Sequence, residues 1–176
     1  MSERILVAGI GNIFLGDDAF GVEVVRLLAE RDQPVGVQVV DFGIRGIDLA
    51  YAIMDGYDAT IMVDTVQRGG APGDLYIIEP ELGTLGTSAQ PGIETHNVDP
   101  VKVLSLVASL GGVSCAGRLY VVGCEPETFG PEETGLMGLS APVQRASVEA
   151  VGLVESLVVS LLAELGAGVG PAATRK

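Results

Sequence analysis

The chain reads as an α/β protein built on a largely parallel sheet, and three features of the sequence say so. Short apolar runs alternate with stretches of helical periodicity, the pattern of successive βαβ units. Val, Leu, Ile and Ala dominate the apolar share, while aromatic residues make up 5% and glycine reaches 25 residues, a composition suited to short buried strands covered by helices. The first strand, Ile5-Leu6-Val7-Ala8, breaks into the turn Gly9-Ile10-Gly11-Asn12, as a strand opening a βα unit does. A length of 176 residues is enough for one sizeable core and short for two, so we expect one domain over 1–165 and a disordered tail over 166–176.

The elements follow in order. After the first strand, a helix over 20–31 carries Val22, Val25, Leu28 and Ala29 on one side and Glu23, Arg26 and Glu30 on the other. A second strand over 37–40 ends at Asp41, a short helix over 47–54 is closed by Gly56, and a third strand over 60–63 ends at Asp64. Residues 74–78 alternate as an edge strand does, after the turn residues Gly69, Gly70, Pro72 and Gly73. The connection over 79–95 is long and rich in Gly and Pro, a length that in compact domains marks function or mobility. Asp99-Pro100 is a helix start, with Asp at the cap and Pro in the first turn, leading to a helix over 101–110. A strand over 119–122, a loop over 125–141 and a long helix over 142–165 complete the chain.

Charge and composition exclude several classes. A formal net charge of −13, with only 10 Lys and Arg spread along the chain, argues against a nucleic-acid partner, which needs a clustered basic face. The most apolar segment, over 151–165, is cut by Glu155 and Glu164, so no membrane span is expected and the location is read as cytoplasmic. Cys115 and Cys124 lie nine apart with no histidine nearby, which fits neither a zinc finger nor a redox pair; both are read as buried free thiols. With His96 as the one imidazole and no GxSxG elbow, Ser- or Cys-based hydrolysis is weakly supported.

The chemistry sits where an open parallel sheet binds ligands, at the carboxyl ends of its strands. Asp17 and Asp18 follow strand one, Asp41 closes strand two, Asp64 closes strand three, and His96, the only histidine, precedes a helix start; all can reach one crevice. One imidazole and two carboxylates suit a borderline divalent ion such as nickel, zinc or iron, and Asp18, Asp64 and His96 are the candidate set. A plain helix cap would need one aspartate; converging carboxylates repel by roughly 4 kcal/mol per close pair at an effective dielectric near 20, which a cation relieves. Asp41 with Gly9 and Gly11 offers a rival reading as a dinucleotide site, but Phe14 stands where its third glycine belongs and two acids would face the pyrophosphate.

The run from Val7 through Gly9-Ile10-Gly11-Asn12 and Asp17-Asp18 to Gly21, followed by Asp41-Phe42-Gly43, Val63-Asp64, Ala71-Pro72-Gly73 and His96, resembles the [NiFe]-hydrogenase maturation endopeptidases. The resemblance implies a three-layer α/β/α sandwich around a mainly parallel, twisted five-stranded sheet. It also implies a catalytic domain that removes a C-terminal extension from the hydrogenase large-subunit precursor once nickel is inserted. By that likeness Asp18, Asp64 and His96 contact the metal, which is the precursor's nickel, and zinc or cadmium fits the same set in vitro. Asp41 is implied in substrate recognition or catalysis, although Asp41-Phe42-Gly43 departs from the Asp-Gly-Gly form. The remaining partners are expected to be few: a monomer, with no nucleic acid and no membrane. A metal chaperone with no hydrolytic step and a nucleotide-binding oxidoreductase are the alternatives.

Overall fold

A computed structural model describes residues 3–80, 98–131 and 133–167. The strands are β1 (Ile5–Ile10), β2 (Val37–Gly43), β3 (Ala59–Thr65), β4 (Leu75–Ile78) and β5 (Arg118–Cys124). The helices are α1 (Phe20–Ala29), α2 (Gly46–Ile53), α3 (Pro100–Ser109) and α4 (Ala141–Ala167). The five strands lie in the order β2-β1-β3-β5-β4; all neighbours are parallel except β4, which runs antiparallel to β5 at the edge.

Side chains alternate across the sheet, so each strand feeds two cores. Ile5, Val7, Ile61, Val63, Tyr120 and Val122 pack under α1 and α4. Leu6, Ala8, Ile10, Met62, Leu119 and Val121 pack under α2 and α3 on the opposite face. The result is the expected three-layer α/β/α sandwich. Burial on both faces explains why β1 and β3 read as unbroken apolar runs, with no polar residue in β1.

Several boundaries differ from the expectations. β2 runs on to Gly43, so Asp41 lies within the strand, paired with Gly9 just before an irregularity in the β1–β2 register. α1 ends at Ala29, which is exposed, and Val24 takes the buried place on its inner face. β5 continues to Cys124 and α4 to Ala167, two residues past the expected domain limit. By length and composition α4 is also apolar enough to cross a membrane, with a mean hydropathy of 1.8 in its most apolar window, which the sequence reading had discounted. Here its Val143, Ala150, Val154, Val158 and Leu161 stripe is buried against the sheet. The long connection over 79–95 falls largely outside the described residues, as does the tail beyond 167.

Candidate active site

β1 delivers the chain to the site through a turn whose geometry only glycine allows. Gly11 has φ of 137°, and a methyl group there would sit 1.7 Å from the Asp18 carbonyl oxygen. The chain then folds into a single 3-10 turn, Gly16–Ala19, that leads directly into α1. Gly9 and Gly21 let that helix settle onto the sheet: a methyl on Gly21 would lie 2.0 Å from the Val63 carbonyl oxygen. The close approach brings the turn beside the end of β3, where Asp64 stands.

Asp18 and Asp64 form the acidic centre of the site. Asp18 is 8% exposed and its carboxylate accepts a 2.7 Å hydrogen bond from the Asn12 N–H. Burial raises its pKa, partly offset by that bond. Asp64, 2% exposed, accepts from the Thr65 N–H at 2.7 Å. Its pKa is driven well above the usual carboxylate range, first by burial, then by the negative charge of Asp18, with a smaller push from Asp99. Both acids line a cleft of about 490 Å³ at the carboxyl edge of the sheet, whose walls include Arg68, Asp99, Val101 and Phe129.

The adjacent acids do not act together. Asp17 is fully buried on the other side of the turn, where it accepts from the N–H groups of Glu127 (2.8 Å), Thr128 (2.9 Å) and Ser140 (2.7 Å) and from the Ser140 hydroxyl (2.9 Å). It fastens the loop after β5 to the β1–α1 turn, which corrects the expectation that Asp17 converges on the crevice with Asp18 and Asp64. Its partners lie more than a hundred residues away, so no local pattern announced them. Asp41 is exposed on β2; its backbone carbonyl accepts from the Arg45 guanidinium, and it is absent from the described cleft lining.

His96 lies outside the described residues. The chain becomes describable two residues later, at Val98 and Asp99, both in the cleft wall. Among the described residues no group of three His, Cys, Asp or Glu side chains is assembled to hold a metal. The structure therefore joins Asp18 with Asp64 and leaves the third expected ligand untested.

The dinucleotide reading fails on hydrogen bonds. A phosphate cradle needs free amides. Here the N–H of Gly11 donates to the Gly43 carbonyl, that of Asn12 to Asp18, that of Phe14 to the Asn12 side chain, that of Gly16 to the Leu136 carbonyl, and that of Asp17 to the Thr128 carbonyl. The cysteines contribute nothing: Cys115 is exposed, contrary to the expected burial, and Cys124 is buried with its thiol pushed up to about 12, mainly by desolvation.

A family model described as HycI, hydrogenase maturation protease, matches residues 22–157, a stretch that carries Asp41, Asp64 and His96 and begins just downstream of Asp18. The chain belongs to the hydrogenase maturation protease family. The Hydrogenase 2 maturation protease of Escherichia coli K12 is 32% identical over 162 residues, covering 84% of this chain and 95% of that protein. The hydrogenase expression/formation protein HupM of Azotobacter chroococcum is 35% identical over 133 residues, 73% of this chain, and the match spans only 62% of that relative's length. Among solved structures, the hydrogenase maturating endopeptidase HybD from E. coli superposes with a TM-score of 0.71 at 29% identity, covering 89% of this chain and 93% of that one. The fold of this family member is thus the one its sequence implied.

Two acids have partners in the structure that the sequence does not announce: Asp99 in the cleft wall and Glu125 behind the loop that bears Arg68. Asp99 was legible only as the cap of α3, where it accepts from the Lys102 N–H at 2.9 Å; it also lines the cleft and acts on Asp64. Glu125 was placed in a loop, yet its carboxylate is buried and accepts from the N–H groups of Arg68 and Gly69 and from the Tyr76 hydroxyl. An acid directly after the last parallel strand was the available signal.

Proposed function

We propose that this family member is an endopeptidase that removes the C-terminal extension of the [NiFe]-hydrogenase large-subunit precursor after nickel insertion, with Asp18, Asp64 and His96 gripping the precursor's own nickel. The carrying observation is the buried Asp18–Asp64 pair, in which burial raises both pKa values and the charge of Asp18 raises that of Asp64 further. Such a pair holds a proton more tightly than free carboxylates do, and a divalent cation is the partner that makes full ionisation favourable. Nickel carried in by the precursor displaces that proton, so the site distinguishes a loaded precursor from an empty one. Asp41, exposed on the strand beside β1, serves recognition of the substrate chain.

Cleavage adds water across the first peptide bond of the extension. A carboxylate takes the water's proton as its oxygen attacks the carbonyl carbon, and the proton passes to the departing amine. The test is the mass of a nickel-loaded precursor after incubation with the chain. Loss of a C-terminal peptide is expected, with Asp18→Ala and His96→Ala each slowing it at least about a hundredfold while the far-ultraviolet circular dichroism stays that of the wild type. An unchanged precursor mass with altered metal content would replace this reading with a non-hydrolytic metal chaperone.

A further inference from the structure

The cleft is lined by charges of both signs. Asp18, Asp64 and Asp99 are its acids; the only cation among its described lining residues is Arg68, on the loop that leaves β3. Asp64 feels the negative charges of Asp18 and Asp99. In an acidic chain most described cations are paired: Arg4 with Asp55, Arg26 with Glu23, Arg31 with Glu155, Arg45 with Asp48 and Arg118 with Glu164. Arg68 has no carboxylate partner among the described residues.

The nearest buried acid, Glu125, is committed elsewhere. It accepts from the backbone N–H of Arg68 (2.9 Å) and of Gly69 (3.1 Å) and from the Tyr76 hydroxyl (3.3 Å). It therefore fixes the main chain that bears Arg68 without joining the guanidinium, which lies 5.6 Å from the centre of the Tyr76 ring. A guanidinium on a tethered loop beside the cleft, resting on an aromatic face and without an anionic partner among the described residues, is prearranged for a planar carboxylate.

We propose that Arg68 forms an anion subsite that receives a carboxylate of the precursor's extension while the acid pair in the same cleft engages the nickel. The site rests on the peptidase reading above and adds a requirement on the substrate: the extension carries an acidic side chain, or its own terminal carboxylate, within reach of Arg68.

Cleavage of nickel-loaded precursor by the wild-type chain is measured first, and a precursor left uncut overturns both the peptidase reading and the subsite. With cleavage in hand, Arg68→Ala should raise KM about tenfold and change kcat much less, and Arg68→Lys should recover only part of the loss. Precursors whose extension has each Asp or Glu changed to Asn or Gln, and one whose terminal carboxylate is displaced by added residues, identify the partner. The matching substrate should show the same raised KM with wild-type enzyme and no further rise with Arg68→Ala. An unchanged KM in Arg68→Ala, or a rise that persists on every neutralised extension, overturns the subsite and leaves the peptidase reading standing.

Discussion

Asp64 shows what burying an acid beside another acid does to stability. Its folded pKa lies above its unfolded one, so the native state holds a proton where the unfolded chain has released it. Stability is therefore full below the unfolded value near 4, declines as pH rises toward the folded value, and stays reduced above it. Asp64→Asn removes the buried charge and retains an oxygen for the Thr65 N–H. In metal-free protein it should be more stable than wild type at pH 8 by about 1 kcal/mol or more, with the gain gone at pH 3 to 4, while cleavage is lost. Urea unfolding across that pH range checks it, and an Asn variant weaker than wild type at pH 8 would show that burial is not what raises this acid. Asp18 and Asp64 were legible as cleft residues because one follows β1 and the other stands at the carboxyl end of β3, on the same edge of the sheet. The opposite roles of Asp17 and Asp18 were not, because Asp17's direction is set by amides of a loop that comes after the last strand.

At the scale of elements, the site depends on how closely α1 sits against the sheet. Gly9 and Gly21 face each other across that contact: a methyl on Gly9 would lie 2.5 Å from the Gly21 carbonyl oxygen, and one on Gly21 2.4 Å from the Ile10 carbonyl oxygen. Gly21→Ala must therefore lift the start of the helix and with it the turn carrying Asp18. We expect a loss of about 3 kcal/mol in thermal or denaturant unfolding. Weaker cleavage should accompany it even under conditions where the variant is fully folded. A variant of wild-type stability would mean that the helix shifts without cost. The strands and helices themselves were readable from period and punctuation, since β1, β3 and β5 are buried on both faces and carry nearly continuous apolar runs. Their ends were less so. Asp41 was read as closing its strand, but main-chain pairing with β1 carries the strand past it, and such pairing leaves no mark in side-chain chemistry.

For the whole molecule, the excess of acid over base opposes compaction. With 23 Asp and Glu against 10 Lys and Arg, the formal charge of −13 makes the folded chain repel itself. Ion pairs such as Arg4–Asp55, Arg31–Glu155 and Arg118–Glu164 work the other way, but their side chains are substantially exposed, and pairs of that kind contribute little. Salt weakens both effects, so the sign of its influence reports which is larger. Raising ionic strength from 10 to 150 mM shortens the screening length from about 30 Å to about 8 Å, which suppresses the many long-range repulsions more than the few contacts at bonding distance. The melting temperature of metal-free protein should accordingly rise by about 2–4 °C over that interval. Sodium chloride is the salt to use, because sulfate would also strengthen apolar burial and confuse the two causes. A fall in melting temperature would assign the larger effect to the ion pairs and show that the acidic residues are spaced widely enough for their repulsion to be negligible.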